Sequence, residues 1–123
     1  MKCSVVMKNV YRAKWCERHN MKPLCRFFML VNAVVWNCHI DYRADIPKSV
    51  SISHHGSGVV INQAVKIGEK SLIAHGVTIG NRMPFHEGSP VIGSNCYIGS
   101  GAYLGGGVLC WETMLTLVPI PLL

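Results

Sequence analysis

The chain has 123 residues, half of them apolar, which is long enough for one domain with a substantial core. Its formal net charge of +6 is uneven, because residues 1–48 hold nine Lys/Arg against three Asp/Glu, whereas residues 49–123 hold three of each. None of the six cysteines forms a Cys-x-x-Cys pair, so a zinc ribbon or a thioredoxin-like redox motif is not supported.

The first 43 residues are predicted to be an N-terminal helical segment. Apolar residues recur at nearly helical spacing across residues 11–36, and Pro23 either divides this segment or begins a second helix. A solenoid needs its open end covered, and we expect the segment to do this. We expect its basic residues to form a solvated face. Contact with an anionic membrane is the alternative, and we expect no nucleic acid partner.

The location of the protein is predicted from the same segment. Residues 1–10 are too polar for the apolar core of a signal peptide, so we expect a cytoplasmic protein with free thiols. The most apolar run, residues 27–36, is about half as long as a membrane span requires.

A six-residue repeat organises residues 44–109. An aliphatic residue recurs every six positions, and the residue after it is small or polar. The phase breaks once and then resumes, which gives the anchors Ile61, Ile67, Ile73, Ile79, Ile92, Ile98 and Leu104. An ordinary strand alternates with period two and does not hold a six-residue phase over seven units. The pattern therefore predicts a mostly β fold, a parallel β-helix of hexapeptide repeats preceded by helices.

Two interruptions of the repeat are candidates for function. The turn at residues 53–58 carries His54 and His55 among glycines and serines. The interval from Ile79 to Ile92 is thirteen residues rather than six, so a loop at residues 81–90 must leave the coil. Loops that leave a rigid solenoid commonly form the walls of binding sites.

Residues 110–123 form an atypical apolar tail. From residue 114 onward it has no charge and no glycine, and it resembles neither a hexapeptide coil nor a polar cap. Our hypothesis is that this end is truncated or frameshifted relative to longer relatives.

The histidines are the residues that most suggest a catalytic function. His55 lies in a small-residue turn, where its ring can be reached by a substrate, and a histidine suits general-base work on a hydroxyl group. Asp45 precedes it by ten residues and could return beside it in the coil to orient the ring. A surface histidine and a turn aspartate are the simpler interpretations of these two residues.

Longer motifs in the repeat resemble the serine acetyltransferase family of hexapeptide-repeat acyltransferases. They are His-His-Gly-Ser-Gly-Val-Val-Ile-Asn at residues 54–62 and Ile-Ala-His-Gly-Val-Thr-Ile-Gly at 73–80, with Asp-Ile-Pro at 45–47, Gly-Ser-Pro-Val-Ile-Gly at 88–93 and Tyr-Ile-Gly-Ser-Gly-Ala at 97–102. The resemblance covers about residues 44–108. It implies a left-handed β-helix, a homotrimer, and acetyl-CoA as co-substrate in the groove between neighbouring subunits, with no metal.

The same resemblance implies roles for individual residues. His55 would be the general base that deprotonates L-serine, as in cysteine biosynthesis, and Asp45 would support it or bind the acceptor. Backbone N–H groups would face the cofactor in two coils, at Gly76, Thr78 and Gly80 and at Gly99, Gly101 and Ala102. His54, His75 and Ser89 would contact the acceptor, and His86 in the loop is a further candidate for this role.

Three departures from the family weaken L-serine as the acceptor. Gly-Ser-Pro at residues 88–90 replaces an Arg-His-Pro that holds the amino acid, the interval from Asp45 to His55 is short, and the large helical domain is absent. A sugar O-acetyltransferase of surface polysaccharide synthesis is therefore the alternative, and an inactive family member is another. A zinc carbonic anhydrase-like protein needs two histidines five residues apart and a third, a spacing that the histidines at 54, 55, 75 and 86 do not supply.

Overall fold

The computed structural model describes residues 4–80 and 91–105, together with the backbone of residues 109–110. In these residues two helices precede ten short strands. The helices are α1 (Val5–Arg18) and α2 (Lys22–Trp36), and the strands are β1 (His39–Ile40), β2 (Ser51–Ile52), β3 (Val60–Ile61), β4 (Lys66–Ile67), β5 (Leu72–Ile73), β6 (Thr78–Gly80), β7 (Val91–Ile92), β8 (Tyr97–Ile98), β9 (Tyr103–Gly105) and β10 (Leu109–Cys110). The predicted loop at residues 81–90 and the tail from residue 111 lie outside the described residues.

The strands form three parallel sheets that the chain visits in turn. Sheet A has the order β1-β3-β6-β9, sheet B has β4-β7-β10, and sheet C has β2-β5-β8. The register aligns the predicted anchors, since Ile61 pairs with Ile79 in sheet A, and Ile73 pairs with Ile98 in sheet C. The six-residue period therefore corresponds to one side of a three-sided parallel coil, and the layout of helices followed by parallel strands is consistent with the prediction.

The coil begins earlier than residue 44, where the repeat was expected to start. β1 pairs with β3 so that Ile40 stacks on Ile61, and an isolated bridge joins Asp45 to Lys66 next to Ile46. Ile40, Ile46 and Ile52 are themselves six residues apart and buried. The sequence pattern hid this coil because nine residues, not six, separate Ile52 from Ile61.

The core is a linear stack of inward-facing aliphatic side chains. All seven predicted anchors are at most 4% exposed, and burying one such side chain contributes about 1.5–3 kcal/mol. Val6, Met7 and Val10 of α1 belong to the same cluster, so α1 covers the N-terminal end of the coil. The hydroxyl of Ser71 is buried in the core, where it donates to Gly93 O at 2.8 Å and accepts from Cys96 N at 3.2 Å.

The two helices form a hairpin around a buried pair of amides. Asn9 Nδ2 donates to Asn32 Oδ1 at 2.9 Å, and Asn32 Nδ2 donates to Val6 O at 3.2 Å. Pro23 lies in the first turn of α2, where its missing N–H costs nothing. α2 ends at Asn37, which adopts a left-handed conformation with φ 51°. In the described part of the chain, neither helix has the length and apolar character needed to cross a membrane.

We expect Gly68→Ala to destabilise the coil by roughly 2–4 kcal/mol. A Cβ at Gly68 would lie 2.4 Å from Gly93 C and 2.5 Å from Ser94 N, both backbone atoms of the next coil that cannot move aside. Urea denaturation followed by circular dichroism measures this free energy of unfolding. Gly80→Ala is the matched control, because among the described residues its Cβ would meet only the Asn62 side chain, at an ordinary distance of 3.6 Å or more. Equal stability of the two variants would contradict the stacking of residue 68 on residue 93.

We expect Asn32→Ala to destabilise the chain by about 2–3 kcal/mol, because the buried Asn9 Nδ2 loses its acceptor and Val6 O loses the Asn32 donor. The double variant Asn9→Ala/Asn32→Ala should lose less than the sum of the two single losses, since both ends of the shared bond are removed together. Additive losses in urea denaturation would show that the two amides do not interact.

Candidate functional site

Three exposed histidines lie at the corner between sheet C and sheet A. His54 and His55 follow β2, and His75 follows β5, so both segments leave sheet C one coil apart. Hydrogen bonds stack the corner: Gly76 N donates to Ser57 O at 2.8 Å, and Gly101 N donates to His75 O at 3.1 Å. We call the side chains of His54, His55 and His75 with these turns the histidine corner.

The backbone of the histidine corner is strained. His54 and His55 have φ values of 51° and 54°, in the left-handed region that residues with a Cβ rarely adopt, at a cost of about 1–2 kcal/mol each. Gly56 continues this conformation with φ 71°, and a Cβ there would lie 2.8 Å from Cys38 Sγ. Strain of this kind persists where the surrounding structure enforces it, and it is concentrated at functional sites. The turn therefore directs two consecutive imidazoles outward.

Ring contacts fix the orientation of these imidazoles. The ring of His55 stacks on the indole of Trp36, with centroids 4.4 Å apart and planes inclined by 24°. The rings of His54 and His75 meet edge to face, with centroids 4.9 Å apart. All three histidines are exposed, so their ring nitrogens can be reached by a substrate.

Cys38 lies directly beneath the corner and is not a second reactive group. Its side chain is 1% exposed, and burial raises the pKa of its thiol to about 12. The thiol is therefore protonated at neutral pH, and only a thiolate is strongly nucleophilic. Its role is to fill the space under Gly56.

Asp45 lies on a different side of the coil from His55. Its backbone pairs within sheet B, where its N–H donates to Val65 O at 3.0 Å, and its side chain is exposed. Its charged neighbour is Lys14, whose ammonium donates to Ala44 O; burial lowers the pKa of Lys14 and Asp45 opposes that shift. Among the described residues Asp45 makes no hydrogen bond to His55, and their pairing stays a prediction.

Most of the residues predicted to bind the cofactor lie near the same corner. Gly76 and Gly101 stack there with Gly58, while Thr78 and Gly80 lie on β6 of sheet A. A Cβ at Gly58 would lie 3.3 Å from Gly76 Cα, and one at Gly76 would lie 3.5 Å from Gly101 N. Small residues therefore let successive coils approach closely at this corner.

Several backbone N–H groups that we expected to face a cofactor already have partners inside the coil. Besides those of Gly76 and Gly101, the N–H of Thr78 donates to Ala102 O at 2.9 Å, and that of Ala102 to Gly99 O at 3.2 Å. The side chain of Ala102 is buried in the core. A ligand that binds at these residues would have to contact atoms other than these N–H groups, or it would have to break a hydrogen bond of the coil. Ser89 and His86 lie outside the described residues.

A cleft of about 720 Å³ lies between α2 and the turn that follows β1, and Cys38 is among the residues that line it. Its lining includes Arg26, Leu30, Asp41 and Arg43, but none of the three histidines of the corner. Arg43 is already paired with Asp41, with Nη2 and Oδ2 3.0 Å apart.

In the part of the chain that the structure describes, no group of three His, Cys, Asp or Glu is placed to hold a metal ion. The histidine corner is therefore the stronger candidate for catalysis.

Trp36 is the residue of the corner that sequence reasoning missed. Its spacing marked it only as one apolar position of a helix, because its contact with His55 spans nineteen residues of chain. The intervals between Ile40, Ile46 and Ile52 could have revealed the first coil, which places the end of α2 beside the turn.

Comparisons with known proteins agree with this architecture. No protein-family model matches the chain. The candidate colanic acid biosynthesis acetyltransferase WcaB of Escherichia coli K12 is 37% identical over 93 residues, which are 75% of this chain and 54% of that protein. The Shigella flexneri protein of the same name matches to the same extent.

Solved structures of serine acetyltransferases share the fold. The soybean apoenzyme has a TM-score of 0.74 at 28% identity, over 85% of this chain and 43% of that one. Isoform 3 from Entamoeba histolytica, in complex with cysteine, has a TM-score of 0.73 at 26% identity, over 86% and 38%. The Brucella abortus enzyme in complex with coenzyme A has a TM-score of 0.75 at 21% identity, over 84% and 41%. The chain spans about half the length of the curated relatives that it matches, and in sequence and fold it is similar to acetyltransferases of the serine acetyltransferase type.

Proposed function

We propose that the histidine corner is the general-base end of an O-acetyltransferase site that transfers the acetyl group of acetyl-CoA to an acceptor hydroxyl. The observation that supports this proposal most directly is the exposed imidazole of His55, held by Trp36 in a strained turn. The acetyltransferase descriptions of WcaB and of the serine acetyltransferases support acyl transfer as the reaction.

His55 would act twice in one turnover. A ring nitrogen accepts the proton of the acceptor hydroxyl as that oxygen attacks the thioester carbonyl. The bond between the carbonyl carbon and sulfur then breaks, and the imidazolium returns the proton to the departing thiolate. The products are an O-acetyl ester and free CoA, so protons and electrons balance without a metal or a redox partner.

The contacts around the corner support roles for its other residues. Stacking on Trp36 limits rotation of the His55 ring, which a general base needs because a proton is transferred over a short, directed distance. His75 lies edge-on to His54, so the two rings form one polar wall beside the base. We propose that this wall and Ser89 bind the acceptor, and that Asp45 acts on the acceptor or on a neighbouring subunit's site.

Acetyl-CoA would lie along the corner where the glycines stack. Gly58, Gly76 and Gly101 stack closely there, so the main chain of successive coils forms a continuous surface beside which a long ligand can lie. The resemblance to serine acetyltransferases further supports a left-handed coil and three identical subunits, with the cofactor between neighbouring copies. The Brucella abortus enzyme, which shares the fold, binds coenzyme A.

A sugar hydroxyl is the acceptor that we favour over L-serine. The 93-residue match at 37% identity is to a protein of colanic acid biosynthesis, whereas the serine acetyltransferases match at 26–28% or less. Gly-Ser-Pro at residues 88–90 also replaces the Arg-His-Pro that holds the amino acid in serine-specific members. L-serine remains the second candidate, because serine acetyltransferases are among the solved structures that share the fold.

We expect His55→Ala to lower kcat/KM for acetyl transfer about 100-fold or more, since a general base contributes roughly that factor. Release of free CoA from acetyl-CoA, measured with a thiol reagent and corrected for the protein's own cysteines, gives the rate. His19→Ala is the matched control, because His19 is also exposed and stacks on a tryptophan, Trp15, at 4.0 Å. The control should stay within about threefold of the starting activity. Retention of activity by His55→Ala would refute the assignment of the base.

We expect CoA release to depend on a hexose or nucleotide-sugar acceptor and to be slow with L-serine. The physical reason is that an amino acid needs a fixed cation for its carboxylate, and the basic side chain that provides it in serine-specific members is absent at residues 88–90. A panel of both acceptor classes with the purified chain measures this directly. Turnover with L-serine alone would overturn the sugar assignment, and turnover with neither would overturn the enzyme assignment for this chain.

A further inference from the structure

The helical hairpin exposes apolar side chains that the coil does not use. Phe27, Leu30 and Val34 recur at helical spacing along α2 and are 54%, 61% and 75% exposed. Only Cys25 and Asn32 of the fifteen residues of α2 are buried. A helix in a water-soluble hairpin ordinarily turns such a stripe towards the core, so this face of α2 has no partner within the described residues.

The apolar surface continues from α2 onto α1. Trp15 of α1 is 52% exposed, and together with Leu24 and Phe28 of α2 it lines a shallow groove between the helices. Arg12 also lines this groove. We call Trp15, Leu24, Phe27, Leu30 and Val34 the hairpin surface.

Positive charge surrounds the hairpin surface. Residues 4–36 hold six Lys/Arg against a single Glu, whereas residues 37–80 and 91–105 hold four Lys/Arg against three Asp/Glu. Lys22 and Arg26 precede Leu30 and Val34 at four-residue intervals, so one row along α2 is basic in its first half and apolar in its second. Long basic side chains beside an apolar stripe can reach the headgroups while the stripe enters the acyl region.

We propose that the hairpin surface docks on the surface of an anionic lipid bilayer, with Trp15, Phe27 and Leu30 in the interface and Arg12, Lys22 and Arg26 at the headgroups. The charges favour a bilayer over a second copy docked hairpin to hairpin. Such a contact would bring two strongly basic surfaces together, and their mutual repulsion opposes it. A nucleic acid would satisfy the charges but leave the aliphatic side chains in water.

Docking in this way would bring the histidine corner near the bilayer. Val34 and Val35 are exposed at the end of α2, and the next residue, Trp36, carries the stacking contact with His55. This placement is a consequence of the docking proposal, which stands on the hairpin alone and does not require acetyl transfer.

Flotation with lipid vesicles tests the proposal. The purified chain should float with vesicles in which about a third of the phosphatidylcholine is replaced by phosphatidylglycerol, and much less with phosphatidylcholine alone or at high salt. Phe27→Gln/Leu30→Gln should weaken binding on the order of tenfold, because the apolar contribution is lost. Val60→Gln is the control, as Val60 is 40% exposed but lies on sheet A.

Charge reversal and fluorescence distinguish docking through the hairpin surface from nonspecific adsorption to vesicles. Arg26→Glu should weaken binding about tenfold, whereas Lys70→Glu, with the same change in net charge, should have little effect because Lys70 is exposed on the coil between β4 and β5. Trp fluorescence should shift to shorter wavelength on vesicle addition, and Trp15→Phe should remove most of that shift. Circular dichroism confirms that each variant is folded.

Either of two results would overturn the proposal. One is failure of the folded chain to bind phosphatidylglycerol vesicles at low salt. The other is self-association in sedimentation velocity that Phe27→Gln/Leu30→Gln abolishes, since the hairpin surface would then be covered by a second copy. Neither result depends on whether the chain transfers acetyl groups.

Discussion

The inward stack of aliphatic side chains constrains everything else in the coil. Ile40, Ile61, Ile79 and Leu104 follow one another in sheet A, and equivalent columns run through sheets B and C. Each strand is only two or three residues long, so a single register is maintained by the anchor and a few hydrogen bonds. A shift by one residue would turn every anchor outward and lose the burial of all three columns. Insertions are therefore tolerated only at corners.

The histidine corner is such an insertion. Three more residues than the repeat requires separate Ile52 from Ile61, and the chain accommodates them in left-handed conformations at His54, His55 and Gly56. The stacking of Gly58, Gly76 and Gly101 keeps the corner tight, and the close approach of Cys38 Sγ prevents a larger residue at Gly56. Because the rigid coil fixes both ends of the turn, the two imidazoles have little freedom except to face outward.

The helical hairpin links this corner to the hairpin surface. α1 has one face in the core through Val6, Met7 and Val10, and α2 packs inward through Cys25, Asn32, Phe28, Met29 and Trp36. The Asn9–Asn32 pair joins the two helices, whereas Phe27, Leu30 and Val34 of α2 remain on the outside. One short helix therefore carries both an exposed apolar face and the tryptophan that orients His55.

The sequence by itself predicted the parallel coil, its anchors, a helical segment before it and the turn that carries His55. These features are local, since a period of six residues and a cluster of Gly, Ser and His can be recognised without knowing what lies one coil away. The family resemblance, and with it acyl transfer as the expected chemistry, rests on the same short runs.

The tertiary structure decided which side chains meet. The contact of His54 with His75 and that of His55 with Trp36 depend on how many residues each turn of the coil contains, and the hidden first coil at Ile40, Ile46 and Ile52 changed that number. For the same reason Asp45, ten residues from His55, lies on another side of the coil beside Lys66. Spacing along a solenoid specifies a side chain's position only after every corner insertion has been counted, and those insertions carry no periodic signal.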